Sequence, residues 1–266
     1  MLVGGALGVV VGIVLGLTGA GGGIFAVPAL VLGLGMDIRT AAPVALMAVG
    51  AAASLGTLQG LRQGLVRYKA AAMLAAAGAV TAPLGVHLAH TVPPSGLNLV
   101  FVVVILAVAY RMFTSARNAQ TDNGLDMVQS RVCRVSTETG RFIWDLKTVT
   151  TMVGIGAVSG IFTGMLGVGG GFIIVPALTY FTELRTHSIV ATSLMVIALL
   201  AVTTIFAASR HGLEMNPETW AFSATALAGM AGARLLAPKV SSSVLQMIFS
   251  VACVVVAIMM VIRSIG

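Results

Sequence analysis

Charge is scarce in this sequence. Only 9% of its 266 residues are Asp, Glu, Lys or Arg, against 58% hydrophobic, and the mean hydropathy is +1.04. A soluble domain is about one quarter charged, and a soluble fold of this length needs a polar shell that these residues cannot supply. A soluble enzyme is thereby excluded. Acids are scarcer still: Asp37, Asp122, Asp126, Glu138, Asp145, Glu183, Glu214 and Glu218 all lie between apolar runs, never within one. Cation-coupled carriers often keep an intramembrane carboxylate as a proton or ion ligand, so its absence points toward an anion. The two cysteines, Cys133 and Cys253, offer neither metal-ligand spacing nor a disulfide framework. His87, His90, His187 and His211 are scattered, with no acidic partner at ligand spacing. With no Ser/His/Asp set and no paired carboxylates in the apolar runs, nothing supports an enzyme, a cofactor or a metal site.

What the chain has in abundance is apolar length. Runs cover about 2–17, 24–35, 41–60, 68–90, 97–113, 148–165, 172–182, 188–209, 219–237 and 243–262. A spanning helix needs roughly 20 apolar residues. The second and seventh runs are too short to span alone and read as half-helices, each following a glycine cluster. The start of the chain lacks a basic segment, so residues 2–17 read as a structural helix and not as a cleaved signal. The net charge of +7 sits in loops, where it faces anionic lipid. No basic stretch is interleaved with aromatics, which excludes nucleic acid as a partner.

The chain repeats itself. Gly16–Leu30 (GLTGAGGGIFAVPAL) aligns without a gap to Gly164–Leu178 (GMLGVGGGFIIVPAL). Farther on, Arg39-Thr40 matches Arg185-Thr186, Arg62–Leu65 matches Arg210–Leu213, and Gly85 falls near Gly232. Residues 1–113 form the first repeat, 114–147 a polar linker, and 148–266 the second repeat. The fold expected is an all-α integral membrane protein of two repeats. Each repeat has a Gly-broken re-entrant or discontinuous helix followed by three spanning helices.

Two arguments read the repeats as inverted. Residues 2–35 as one helix would measure roughly 50 Å at 1.5 Å per residue, whereas a crossing uses about 30 Å, so the excess is a return leg. With the linker inside, Arg62, Arg67, Lys69, Arg111, Arg117, Arg185, Arg234 and Lys239 are cytoplasmic, and Arg39, Arg210 and Arg263 lie outside. Parallel repeats, each crossing four times, are the alternative. They would divide the same charges seven against four where inversion gives eight against three, so the positive-inside rule favours inversion.

The candidate site follows from the glycines. A dinucleotide fingerprint needs a third glycine where Ile24 and Phe172 stand, with a preceding strand and a later acid, and none is present. In a helix, glycine costs about 1 kcal/mol relative to alanine, so the clusters break the helix at membrane depth. Free amides there need protein, water or ligand as partner. Gly21, Gly22, Gly23 and Ile24, with Gly169, Gly170, Gly171 and Phe172, would present half-helix amino ends to an anion. The plainer alternative is that the glycines allow close helix packing. Thr192 and Ser193 could donate hydroxyls to the same anion, or bond back to their own helix. His87 and Arg234, at roughly matching repeat positions, could add positive charge or lie at the interface.

The duplicated G-x-G-G-G-x(4)-P-A-L element at Gly19–Leu30 and Gly167–Leu178, with Ala191-Thr-Ser-Leu194 after the second, resembles the sulfite exporter TauE/SafE family of membrane permeases. Where the second half has Ala191-Thr-Ser, the first has Ala45-Leu-Met, a departure from a symmetric site. The resemblance implies a multi-pass protein of the cell (inner) membrane with a cytoplasmic linker. It also implies movement of sulfite, a sulfonate or a similar small sulfur-containing anion by alternating access. The alternative class is a non-transporting membrane subunit that assists assembly of a redox or metal enzyme.

The linker reading has a direct test. Replacing much of 114–147 with a neutral flexible segment is expected to leave transport largely intact. Loss of folded protein in that variant would assign the segment a structural role.

Overall fold

A computed structural model describes residues 2–18, 22–121, 133, 144–182, 184, 186–209, 217–236 and 242–265. Gly21, Arg185, Arg210, Lys239 and most of the linker lie outside these. Among the described residues there are ten helices and no named strand. In chain order they are α1 (Leu2–Thr18), α2 (Gly23–Gly33), α3 (Ile38–Arg62), α4 (Tyr68–Thr91) and α5 (Pro94–Thr121). The second half gives α6 (Leu146–Leu166), α7 (Gly171–Phe181), α8 (Thr186–Ser209), α9 (Pro217–Leu236) and α10 (Ser242–Ile265).

Local chemistry sets the ends. Asp37 and Asp145 cap α3 and α6, their carboxylates accepting the amides of Arg39 (3.3 Å) and Leu146 (2.8 Å). Gly167 closes α6 in the left-handed region. Helix α5 continues to Thr121, beyond the end of its apolar run at Phe113, because backbone hydrogen bonds propagate without apolar side chains. Five helices, α3, α4, α6, α8 and the Pro94–Thr114 part of α5, are long and apolar enough to cross a bilayer. The apolar stretches Val3–Leu17, Gly23–Gly33, Gly171–Phe181 and Phe249–Ile262 are shorter.

Glycine stripes place the helices. Gly4, Gly8, Gly12 and Gly16 bring α1 against the carbonyls of Glu218, Phe222, Ala226 and Met230, in that order. Gly156, Gly160 and Gly164 do the same for α6 against Leu74, Gly78 and Ala82 of α4. In both pairs the order makes the helices parallel, and a Cβ at Gly12 or Gly160 would run into backbone. Small residues four apart are what lets helices approach in lipid, where no hydrophobic difference drives them together.

Other pairs run the opposite way. Gly50 packs on Ala201 and Gly60 on Ala191, so α3 and α8 are antiparallel. The Ser250 hydroxyl donates to the Ala109 carbonyl at 2.9 Å, while Val102 and Leu106 share a groove with Ala257–Ile262, so α5 and α10 are antiparallel too. Each Gly-broken pair is a hairpin. Gly22 lies on the backbone of Leu15 and Gly33 on the side chain of Leu7; Gly170 lies on Ser159 and Thr163.

These directions define two ends of the bundle. The linker end holds the starts of α4, α6 and α8. The far end holds the starts of α1, α3 and α9 and the end of α4. Cys133 is the described point of the linker, and it is fixed. Its amide donates to the Phe181 carbonyl (3.0 Å), and it is fully buried in a cluster with Ala71, Leu74, Met152, Leu178 and Ile189. Burial raises the pKa of its thiol, partly offset by a hydrogen bond with Thr148.

At the far end Arg39 clamps α3 to α4. Its Nε donates to Ala89 (3.1 Å) and its Nη2 to Val92 (2.8 Å) and His90 (3.4 Å), covering carbonyls at the end of α4. Arg39→Ala is expected to cost about 2 kcal/mol, read as a lower melting temperature in detergent. Arg39→Lys should recover only part, since an ammonium lacks the guanidinium fork. An unchanged melt for Arg39→Ala would show that the clamp is not a structural tie.

Candidate functional site

The two hairpin turns meet inside the bundle. A Cβ on Gly23, the first residue of α2, would reach the Val168 carbonyl oxygen at 2.6 Å and a Val49 methyl at 3.2 Å. From the other hairpin, Gly169 faces Ile197 of α8 and Val49 and Leu46 of α3. Both turns therefore converge on Val49. Gly22, Gly23, Ile24, Gly169, Gly170, Gly171 and Phe172 are all buried. The first amides of a helix have no carbonyl ahead of them in their own helix, so α2 and α7 direct their positive ends toward one region.

The two turns are built differently. Gly22 has φ −60, and its side is closed by the Leu15 backbone. Only a close approach requires glycine there. Gly167, Gly169 and Gly170 have φ 69, 75 and 67, a region costly for other residues. The second hairpin is also tied by a hydroxyl. Ser159 Oγ donates to the Gly170 carbonyl at 3.2 Å, while Thr163 Oγ1 bonds back within α6, to the Ser159 carbonyl at 2.7 Å. Counting back from the aligned glycines, the matching residues of α1 are Val11 and Leu15, which offer no such bonds.

The remaining sequence candidates separate. Thr192 is fully buried, and its Oγ1 accepts the Arg67 amide at 3.0 Å. Ser193 is fully buried but donates to Val190 of its own helix at 2.9 Å. His87 is exposed on α4, while its neighbours Gly85 and Val86 are buried. It does not join the turns. Arg234 lies on α9 beside Ala233, which packs on Gly16, and its side chain lies outside the described residues.

Reading the sequence overlooked the roles of two polar residues, Ser159 and Arg67, and gave Thr204 none. Ser159 looks like one more small residue in α6, yet it braces the second turn. Thr204 is buried with an Oγ1 that has no partner among the described residues. Arg67, at the start of an apolar run, reads as an ordinary interfacial charge until its contact with α8 is known. Among the described residues, no group of His, Cys, Asp and Glu could hold a metal ion.

The chain compares closely with membrane proteins along almost its whole length. It is 28% identical over 260 residues to a probable membrane transporter protein from each of two strains of Xylella fastidiosa, covering 97% of this chain and 93% of the relative. It is 26% identical over 196 residues to a probable membrane transporter protein of Bacillus subtilis, covering 72% of this chain and 71% of that protein. No solved structure matches it significantly. The family model for the sulfite exporter TauE/SafE matches residues 4–260. With that match spanning both hairpins and every spanning helix, the chain belongs to the sulfite exporter TauE/SafE family.

Proposed function

We propose that this multi-pass membrane transporter is a secondary carrier of a small sulfur-containing oxyanion or sulfonate, working by alternating access around the meeting point of α2 and α7. The observation that carries the reading is the approach of two half-helix starts, Gly23 and the Gly167–Gly171 turn, deep in the bundle. Each brings partial positive charge without a counter-ion to be displaced. In a low-dielectric interior, oriented dipoles of this kind hold an oxyanion that water would otherwise solvate.

The repeats are read as inverted. Supporting this, the helices that correspond in the alignment, α3 with α8 and α5 with α10, run in opposite directions. Meanwhile α1 with α9 and α4 with α6 are one parallel contact made twice with the repeats exchanged. A two-fold axis lying across the helices produces that pattern, and alternating access in such folds uses rocking of one repeat against the other. The site as built is closed, packed by Val49, Ile197 and Phe172, so loading requires the hairpins to part.

Cysteine accessibility tests the orientation. Labels placed at Lys69 and Lys239 are expected to react from one face, and labels at Arg39 and Arg210 from the other. Reaction of Lys69 and Lys239 positions from opposite faces would remove the inverted arrangement.

Flux tests the site. Purified chain in proteoliposomes is expected to carry sulfite saturably; absence of flux from the chain alone would favour an assembly subunit. Bulky changes at Gly22 or Gly170 are poor probes, since Leu15 or Ser159 and Thr163 leave no room for them. Gly23→Ala adds one methyl between the two turns, against the Val168 carbonyl oxygen. It should reduce sulfite affinity about tenfold, roughly 1.4 kcal/mol, with a lower melting temperature as Val168 gives way. Wild-type affinity in a destabilised Gly23→Ala protein would make the glycines packing residues.

A further inference from the structure

Arg67 and Thr192 form a polar pair that the repeat does not duplicate. Thr192 aligns with Leu46, and Arg67, counted on from the Arg62/Arg210 match, aligns with Met215. Both members of the pair are therefore apolar in the other half. An internal repeat keeps what helix packing needs in both copies; here two residues distant in sequence depart together, at one end of the bundle.

Their geometry explains the joint departure. The Arg67 amide, at the start of α4, donates to the buried Thr192 hydroxyl on α8 at 3.0 Å. This uses the backbone, so it fixes the position of Arg67 without engaging its guanidinium. The Nε of that guanidinium is buried and has no acceptor among the described residues. A buried cationic N–H without an acceptor is costly. Along α8, Thr192 lies five residues before Ile197, which touches the Gly169 turn. At 1.5 Å per residue that is about 7.5 Å. On the linker end, then, a half-buried cation and a buried hydroxyl stand one short step outside the half-helix starts.

We propose that Arg67, held by Thr192, is a one-sided selectivity residue. It takes an oxyanion from the linker end and passes it to the turns of α2 and α7. This rests on the transport reading above and adds to it a specific charge and a direction. The missing Nε acceptor is supplied by an oxygen of the passing anion, and the positive charge repels cations from the same route. In the other half the aligned residues, Leu46 and Met215, carry no charge, so the two directions of approach differ in affinity for the same anion.

The test uses the full chain in oriented proteoliposomes, with sulfite as the probe, comparing Arg67→Gln, Arg67→Lys and the exposed control Arg62→Gln. For sulfite presented at the linker end, Arg67→Gln is expected to raise KM about tenfold with maximal flux within about twofold. KM from the far end should move little, Arg67→Lys should restore much of the loss, and Arg62→Gln should behave as wild type. A KM for Arg67→Gln equal to wild type would overturn the proposal. So would an equal loss in Gln and Lys variants accompanied by a lower melting temperature, the pattern of a packing residue. Should wild-type protein carry no sulfite, the transport reading fails first. The contact is then read by sulfite-dependent thermal stabilisation in detergent, which must be present in wild type and absent in Arg67→Gln for the proposal to stand.

Discussion

Close contact between bare backbones holds this protein together. In lipid, burying a leucine against another helix gains little over leaving it against acyl chains. Helices associate when their backbones come near enough for dense van der Waals contact. The stripes Gly4–Gly8–Gly12–Gly16 and Gly156–Gly160–Gly164 make that approach possible, against α9 and α4 respectively. Each stripe lies on the first helix of a repeat and grips a helix of the other, so the halves are joined by exchange. The hairpins ride on these stripes: α1 and α6 position α2 and α7, and the turns meet only because both stripes are seated.

That arrangement separates rigidity from polarity. The stripe helices carry no charged side chain within their packed faces, and the polar groups at the turns are backbone amides plus a few hydroxyls. Ser159 braces the second turn, while Val11 occupies the matching place beside the first. One hairpin is thus tied by a hydrogen bond that must break or move with it. The other is held by apolar packing. On the inverted reading proposed above, unequal ties give a physical basis for one hairpin moving more readily than its twin.

For the ligand, the consequence is an electrostatic environment made of dipoles. Carboxylates are absent from the apolar runs, so nothing in the bundle competes with an anion for the half-helix starts. Fixed dipoles stabilise an anion without the large desolvation cost of burying a full cation beside it. In the proposal, Arg67 adds a full charge at the linker end, where its half-exposure lowers that cost.

Much of this could be read in the residues. Hydropathy placed ten apolar runs on the ten described helices, within about three residues except at the polar end of α5, because each backbone group in lipid must be satisfied within its own helix, a local requirement. The duplicated glycine element marked the breaks and the family. The lack of intramembrane acid supports the proposal of an anionic ligand, and the excess length of residues 2–35 indicated the return of α2 along α1. Tertiary structure alone decided that the two turns converge on Val49. It also decided that Thr192 faces Arg67 while Ser193 bonds its own helix, and that His87 points away. Those outcomes depend on crossing angle and direction between helices far apart in sequence. An apolar face against protein and an apolar face against lipid have the same composition, so hydropathy carries no record of which one a residue will meet.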